Sequence, residues 1–524
     1  MDPARRRRRG DRLHGLRAGL ARRRAAALRG HLLRAARGRA RAARAARRGA
    51  GVRPGPARRR ALPPRPHRAP GQAQPLVAHA GRAHRDLLPR RLHARRHQAR
   101  SSVGRPQRDR GRRTDRGRRD PDRVAARRRR AARAARREDP PPRLRQVAVA
   151  SERHRGEGSS VTRSRWYRFY AAEISYFSGK VRPALRQKGV PFVECLPTPA
   201  AYRDVILPRT GLGFIPVVVT PEGETWQDTS EILDALEARH PEPALYPASP
   251  VQRAVAYLLE VYADEFLVLP AMHYRWSFPD SVRKARGDFA ASNGDPAAAA
   301  KFAGRMGGSI RALGVVPESA AAIEAHTADL LDALSAHFAA QPALLGTRMS
   351  LADCALMGPL YAHLYLDLVP GLLLRERAPR VCHWIERMNH PDPDAPGDFL
   401  AGDALAPTLR PLLELVGRDA VPLLLDTLRD FERWADARPP ELEKPPRAVG
   451  FHATQLRGAH FQRYTSPYTL WMVQRALDAY ASAGERGRAA IDAALAGTGC
   501  EALFAYRPRH RMGKRRFELT FEKA

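Results

Sequence analysis

The spacing of apolar residues after position 161 predicts two kinds of structure, one after the other. Short extended runs alternate with helical stretches up to residue 239, which is typical of a small α/β unit ordered β-α-β and then β-β-α. The predicted strands are 166–171, 191–196, 214–220 and 225–227, and the predicted helices are 177–187 and 230–239.

Beyond Pro250 the apolar spacing becomes helical. The helices predicted there are 251–269, 320–338, 351–368, 381–389, 405–415, 420–435, 469–482 and 487–496. Alternation of apolar and polar residues returns only at 517–521, which we predict to be a strand. We therefore expect an α/β unit followed by a long helical region.

The first 150 residues carry no such pattern. They hold 49 arginines, no lysine and nine acidic residues, so this segment alone has the +40 net charge of the whole 524-residue chain. The segment also lacks Ile, Phe, Tyr and Trp. It has too little apolar surface to offset the entropy of ordering, and we predict it to be disordered. Because the remainder is neutral, the composition argues against a protein that coats nucleic acid along its whole length.

The origin of this leader, residues 1–160, has three readings. Arg, Ala, Pro and Gly are the residues of GC-rich codons, so we interpret the leader as a gene-model artefact, with Val161 as a candidate start. A genuine Arg-rich tail would bind phosphate backbones through counterion release, and only then do we expect a nucleic-acid partner. A transit peptide is the third reading, since such peptides are rich in Arg and poor in acidic residues.

Membrane spans, metal sites and disulfides are not expected. No run of 18 apolar residues occurs, and the four cysteines are far apart and form no C-x-x-C pair. Cysteines used in this way fit a reducing compartment, so we expect a cytoplasmic protein.

Four local motifs, taken in their order along the chain, resemble the glutathione S-transferase family. They are Ser175-Tyr-Phe-Ser-Gly-Lys-Val-Arg182, Phe214-Ile-Pro216, the pair Asp228-Thr229 before a helix, and Ser350-Leu-Ala-Asp353. The resemblance implies a thioredoxin-like α/β domain at 161–246 and an all-helical domain at 247–396. Two departures from the family are a long insertion at 280–318 and an extension at 397–524, which we expect to be helical and to pack on the domain before it.

The resemblance gives Ser175 the catalytic role. A thiol attacks only as its thiolate, and a hydroxyl donor at a helix N-terminus stabilises that anion. The competing interpretation is an ordinary helix cap, a position that serine favours in any case. Tyr170, Tyr176 and Ser178 are the other hydroxyl groups near enough in sequence to compete for the role.

The same resemblance places glutathione against three other segments. Pro216, in a cis-proline loop, leaves the backbone of Ile215 open to pair with an extended peptide. Asp228 and Thr229 begin the next helix, where backbone N–H groups and the Thr hydroxyl would meet the carboxylate of the γ-glutamyl end while Asp228 accepts its ammonium. A proline at a strand edge and simple helix capping are the structural alternatives.

Aromatic side chains at helical spacing are candidates for the pocket of a second, electrophilic substrate between the domains, although such a stripe is more often core. The candidates are Tyr262, Phe266, Met272, Tyr274 and Trp276, with Tyr361 and Tyr365 from a later helix. Ser350 and Asp353 form a capping box, which we assign a structural role.

These expectations together describe a cytoplasmic glutathione transferase. Its co-substrate is glutathione, its second substrate is a small hydrophobic electrophile, it uses no metal, and it forms a homodimer as many members of the family do. Two alternatives stay open, namely a non-catalytic binding or scaffold protein with this fold and a glutathione-dependent isomerase.

Overall fold

A computed structural model describes residues 165–522, and the Arg-rich leader lies outside this range. The chain begins with a four-stranded sheet in the order β2-β1-β3-β4. Its strands are β1 (Tyr167–Tyr170), β2 (Phe192–Cys195), β3 (Val217–Val219) and β4 (Thr225–Gln227). β1 and β2 are parallel, whereas β3 runs antiparallel to both of its neighbours. This is the sheet of the thioredoxin-like domain, as predicted.

Four helices accompany this sheet. They are α1 (Tyr176–Gln187), α2 (Pro199–Ala201), α3 (Leu207–Thr210) and α4 (Thr229–Arg239), and the π turn Tyr202–Ile206 joins α2 to α3. α1 and α4 pack together. Their apolar residues, among them Val181, Leu185, Ile232 and Leu236, are fully buried. The predicted helices 177–187 and 230–239 are confirmed within one residue.

The helical domain follows from Pro250. Its helices are α5 (Pro250–Val261), α6 (Val268–Trp276), α7 (Pro279–Asn293), α8 (Pro296–Ser309), α9 (Pro317–Ala340), α10 (Leu351–Met357), α11 (Leu368–Arg377) and α12 (Pro379–Asn389). Two π-helical segments, Tyr262–Phe266 and Gly358–Tyr365, continue α5 and α10. The Ala-rich insertion at 280–318 is therefore mostly a pair of helices, α7 and α8, which pack against each other.

The C-terminal segment adds helices and two β-hairpins. The helices are α13 (Arg410–Leu415), α14 (Val421–Asp436), α15 (Pro467–Ser482), α16 (Gly484–Leu495) and α17 (Glu501–Phe504), with the 3-10 turn Pro407–Leu409 before α13 and the π turn Val416–Ala420 after it. One hairpin pairs β5 (Phe451–Leu456) with β6 (Ala459–Tyr464), and the other pairs β7 (Met512–Arg515) with β8 (Glu518–Phe521). α15 lies along α5, which joins this segment to the helical domain.

The expectation that no strand occurs between Pro250 and residue 517 is wrong. β5 alternates between exposed and buried residues, but its buried face carries His452 and Thr454, while Phe451 on the other face is exposed. In β6 the buried residues include Arg463. Because polar residues occupy the inward positions, the period of two is invisible to an apolar pattern. Among the described residues, no helix combines the length and apolar character that a membrane span needs.

The capping box at the start of α10 forms as predicted. Asp353 is fully buried, and its carboxylate accepts hydrogen bonds from the backbone N–H and hydroxyl of Ser350, from the N–H of Leu344 and from the indole of Trp384. The hydroxyl of Ser350 accepts in turn from the N–H of Asp353. The carboxylate thus joins a loop and two helices, α10 and α12, which is more than a cap alone would do.

Replacing Asp353 by Ala leaves four buried donors without an acceptor, so we expect a loss of unfolding free energy of about 3 kcal/mol or more. Asp295 caps α8 at the surface and accepts from Ala297 and Ala298. Asp295→Ala is the matched control and should cost about 1 kcal/mol. Urea unfolding of both variants measures the difference, and equal losses would contradict the proposed role of Asp353.

Candidate functional site

Strand register brings three of the predicted site segments to one edge of the sheet. Tyr170, the last residue of β1, lies opposite Val217, the first residue of β3. Val217 in turn lies opposite Gln227, the last residue of β4. The turn after β1, the loop before β3 and the start of α4 therefore meet at this edge. They carry Ser175, the pair Ile215–Pro216, and the pair Asp228–Thr229.

Ser175 is the N-cap residue of α1 and is half-buried. Its hydroxyl oxygen accepts a hydrogen bond from the N–H of Ser178 at 3.3 Å. Within residues 165–522 its own proton has no acceptor, so the hydroxyl can still donate to a ligand. The first turn of α1 carries no acidic residue. The positive end of the helix dipole therefore reaches Ser175 with no carboxylate in the first turn of α1 to oppose it.

The competing hydroxyl groups belong to buried residues. Tyr176 is buried and donates to the carbonyl of Ala263 in the helical domain at 2.5 Å. Tyr170 is buried in a small cluster beside Ile206 and Val217. Ser178 is fully buried, and the N–H of Ala172 points at its hydroxyl at 3.4 Å. Ser175 is therefore the hydroxyl of this turn that is both partly exposed and able to donate.

The helical domain holds the turn that carries Ser175. Arg275 is buried, and its guanidinium donates to the carbonyl of Ile174, to the carbonyl of Ala362 and to the carboxylate of Asp367, at 2.6–2.9 Å. Tyr361 donates to Glu173 on the same turn. Sequence reasoning missed Arg275, and the only available signal was an arginine within an otherwise apolar helix.

The Ile215–Pro216 peptide bond is cis, which confirms the predicted cis-proline loop. Pro216 is buried, whereas Ile215 and Phe214 before it are partly exposed. The backbone N–H and C=O of Ile215 make no hydrogen bond within the described part of the chain, so both remain available to an extended ligand. Binding of glutathione there stays a prediction.

Asp228 caps α4 with a positive φ of 78° and already has several partners. One carboxylate oxygen accepts from the N–H of Ser230 at 3.0 Å. The other accepts from the Tyr468 hydroxyl at 2.6 Å and lies 2.7 Å from the ammonium of Lys514. Both of these residues belong to the C-terminal segment. Thr229 is buried, and its hydroxyl has no partner among residues 165–522.

A buried ionic cluster lies between α1 and the helical domain. The ammonium of Lys180 is 2.7 Å from Glu260 and 2.6 Å from Asp264, and it donates to the Ser230 hydroxyl at 3.1 Å. All four side chains are almost completely buried. Asp264 lies in the π-helical segment that continues α5, an irregularity that is frequent at functional sites. Because all four residues of this cluster are polar, the spacing of apolar residues could not predict it.

The two carboxylates of this cluster are not equivalent. Burial raises the pKa of Asp264 to about 7, even though Lys180 opposes that shift. Burial also acts on Glu260, but there the attraction of Lys180 and Arg475 prevails and the pKa is lowered. Near neutral pH the cluster therefore holds one ionised carboxylate and one that gains or loses a proton.

The residues predicted to line an electrophile pocket lie mainly in the core. Tyr262 and Phe266 are fully inaccessible, and the Tyr262 hydroxyl is 2.7 Å from Nε2 of His326. Met272 and Tyr274 are also buried. Trp276 stacks on Phe289 in the insertion. Tyr365 is partly exposed and donates to Glu386. Of these predicted residues, Tyr361 is the one whose hydroxyl hydrogen-bonds to the turn that carries Ser175, through Glu173. Among the described residues no group of metal-ligating side chains gathers.

Comparison with known proteins identifies both domains. The family model "Glutathione S-transferase, N-terminal domain" matches residues 169–244, and the model "Glutathione S-transferase, C-terminal domain" matches residues 317–392. Among curated proteins the chain resembles the uncharacterized GST-like protein YibF of Escherichia coli, at 31% identity over 90 residues. That stretch is 17% of this chain and 45% of the relative, so the chain spans about half the length of the curated relative it matches.

Solved structures with related folds include two bacterial proteins. The β-etherase LigF of Sphingobium sp. SYK-6 is 19% identical, with 43% of this chain and 94% of that chain covered and a TM-score of 0.32. A glutathione S-transferase of Methylobacterium radiotolerans, solved with glutathione sulfonate, is 24% identical, with 44% and 95% covered and a TM-score of 0.28.

The fold and the matched residues define a two-domain protein with a thioredoxin-like unit and a helical unit. Residues 169–244 and 317–392 thus carry a glutathione S-transferase N-terminal domain and a glutathione S-transferase C-terminal domain.

The raised pKa of Asp264 predicts how stability changes with pH. Its ordinary value is 3.8, so the folded protein retains a proton there that the unfolded chain has already lost. The stability from this proton is fully present below about pH 4 and is lost as pH rises through 7. Wild type should therefore lose more unfolding free energy between pH 5 and 8 than Asp264→Asn, as measured by urea unfolding at both pH values.

Asp394→Asn is the control, because Asp394 is exposed and its carboxylate has no partner among the described residues. This variant should keep the wild-type dependence on pH. If Asp264→Asn keeps it as well, the proton does not reside on Asp264.

Proposed function

We propose that this protein is a glutathione-dependent transferase, in which Ser175 activates the thiol of glutathione for attack on a small hydrophobic electrophile. One observation carries the proposal. The hydroxyl of Ser175 is partly exposed, has a proton to donate, and lies at the N-terminus of α1 on the sheet edge shared with Ile215 and Thr229.

The chemistry needs a thiolate at that edge. An extended tripeptide pairing with the backbone of Ile215 brings its cysteinyl sulfur toward the turn before α1. The Ser175 hydroxyl donates to the sulfur, and the helix dipole further favours the anion, so the thiol proton leaves to water. The sulfur lone pair then forms the bond to the electrophilic carbon, while the electron pair of the bond that breaks at this carbon leaves with the displaced group, which takes up a proton from water. Ser175 keeps its own proton, because its hydroxyl acts only as a hydrogen-bond donor to the sulfur throughout the step.

The electrophile meets a different surface from the one that the sequence indicated. Since the predicted aromatic stripe is core, apolar contact beside Ser175 falls to Phe177 and Phe214, each 37% exposed. Phe177 lies in the first turn of α1, and Phe214 lies just before the cis-proline. A small hydrophobic electrophile fits such a surface, and the proposal specifies the second substrate by this chemical class.

Further parts of the proposal concern organisation. We place the thioredoxin-like domain at 161–246, the helical domain at 247–396 and the C-terminal segment at 397–524. The loop at 400–404 supports the second boundary, because it leaves the helical domain and its carbonyls accept from the amide of Gln252. A homodimer in the cytoplasm completes the proposal, on the ground of the two matched family domains.

A second candidate function is a non-catalytic binding or scaffold protein. The contact between Lys514 and Asp228 favours it, because it fills the position where the ammonium of glutathione would bind. The two candidates differ in whether a thiol binds at this edge and whether Ser175 changes its reactivity.

Substitution of Ser175 separates the catalytic role from that of a cap. Ser175→Ala should keep the affinity for the thiol within about threefold but lower the turnover of a generic electrophile by about a hundredfold, since one donor to the developing anion is removed. Calorimetry and a conjugation assay measure the two effects.

Ser249→Ala is the matched control, because Ser249 caps α5 with the same geometry, through the N–H of Gln252. That variant should lose about 1 kcal/mol of stability and no activity. If Ser175→Ala behaves in the same way, Ser175 is only a cap and the transferase proposal fails.

A further inference from the structure

The C-terminal segment builds an ammonium site at the start of α4 and fills it with its own lysine. Besides its ion pair with Asp228, the Lys514 ammonium lies 3.3 Å from the carboxylate of Glu231. It also lies 3.6 Å from the centre of the Trp471 ring, and the ring of Tyr468 is within 5.4 Å. The Lys514 side chain is only 7% exposed. Two carboxylates and two aromatic faces are the environment that a cation prefers.

This arrangement gives both carboxylate oxygens of Asp228 a partner. Ser230, Tyr468 and Lys514 together contact both of its carboxylate oxygens, and its side chain is 11% exposed. The nearby acidic side chain Glu265 is likewise occupied, because it accepts from the Thr469 hydroxyl at 2.6 Å. A ligand ammonium arriving at Asp228 therefore meets a carboxylate that is already paired with a buried positive charge.

The lysine is firmly held in this place. Met512, two residues before it on β7, is fully buried. The backbone of Met512 exchanges two hydrogen bonds with the side-chain amide of Gln474 on α15. On the partner strand β8, Phe521 stacks on Phe431, and the guanidinium of Arg438 lies 3.7 Å from its ring centre. The hairpin that carries Lys514 is thus anchored in the core, and the Lys514 ammonium is held through its ion pairs and its contact with the Trp471 ring.

What remains open at this edge suits a negative group. The Thr229 hydroxyl has no partner within residues 165–522, and it lies at the N-terminal end of α4, where the helix dipole favours an anion. The C-terminal segment adds a second cation, since the Arg447 guanidinium lies 4.1 Å from the ring centre of Phe214, near the cis-proline. Both ends of the predicted thiol site are therefore bordered by positive charge.

We propose that Lys514 is a specificity-determining residue, and that the site prefers a thiol whose end at α4 carries a carboxylate but no free ammonium. This inference rests on the proposed function, because it takes the same edge as the thiol site, and among the γ-glutamyl thiols to which glutathione belongs it makes a des-amino or N-blocked member the preferred co-substrate. Lys514 takes the place of the ligand's ammonium and leaves the carboxylate as the recognised group.

The test compares two thiols that differ only in this group: glutathione and its des-amino analogue, glutaryl-cysteinyl-glycine. Calorimetry on the full chain should give wild type an affinity for the analogue at least about tenfold higher than for glutathione, because like charges at close range oppose binding. Lys514→Met keeps the length of the side chain and removes its charge. This variant should bring the two affinities to within about threefold of each other.

Two further variants serve as controls for charge and for folding. Lys301→Met makes the same change of charge at an exposed position of α8 and should keep the wild-type preference. The double variant Lys514→Met with Asp228→Asn avoids leaving a buried carboxylate without its cation, and it replaces the single variant if thermal unfolding reveals a loss of folding. It too should lose the preference for the analogue.

The possible results distinguish failure of this inference from failure of the proposed function on which it rests. If wild type binds glutathione as tightly as the analogue, or more tightly, the role of Lys514 is refuted while the thiol site stands. A wild-type preference that survives in Lys514→Met also refutes it. If folded wild type binds neither thiol, the proposed function fails, and the inference fails with it.

Discussion

The Lys180 ammonium is the point on which the arrangement of the site depends. It is completely buried and lies between Glu260 and Asp264 of the helical domain while donating to Ser230 of α4. Lys180 itself belongs to α1, the helix that begins at Ser175. This one cation thereby holds together α1, which begins at the candidate catalytic residue Ser175, α4, where the far end of the ligand would bind, and the helical domain. Removing one partner of such a buried group strands a charge, which is costly.

The C-terminal segment extends the same network. Arg475 on α15 pairs with Asp234 of α4 at 2.7 Å, and it lies 3.7 Å from the carboxylate oxygen of Glu260 that Lys180 does not contact. One turn earlier on α15, Trp471 lies beneath Lys514, which reaches Asp228. The segment therefore does more than cover the helical domain. It supplies positive charges at α4, at one end of the candidate site, and at Glu260 of α5. These charges bear on which ligand ends are compatible with the site.

Local patterns were sufficient to predict the thioredoxin-like unit, but not its surroundings. The four strands and the helices α1 and α4 follow from apolar spacing and turn residues, whereas the short helical segments at 199–210 were not predicted. Ser175 and Pro216 were located by short motifs with a chemical meaning. The hairpin at 451–464 escaped prediction because His452, Thr454 and Arg463 occupy its buried face. The aromatic stripe was equally ambiguous, since spacing alone cannot distinguish a core tyrosine such as Tyr262 from one that lines a cleft.

No local pattern in the sequence predicts the contacts between distant parts of the chain. Tyr468 is 240 residues from Asp228 in sequence, and no local feature links the two. Lys514 stands in the basic stretch 507–516, where nothing in the local sequence indicates that its side chain is buried. Such pairings depend on how α15 and the last hairpin pack, and that information resides in the tertiary structure.

The central claim is that the edge carrying Ser175 converts a bound thiol into its thiolate, and the most direct test is the pKa of that thiol. The ultraviolet absorbance of the thiolate, followed against pH with protein in excess over whichever of the two thiols binds more tightly, reports it. The account predicts a value at least about one unit below that of a free cysteine thiol, which is about 8.5. A thiol that binds with an unshifted pKa would contradict the account.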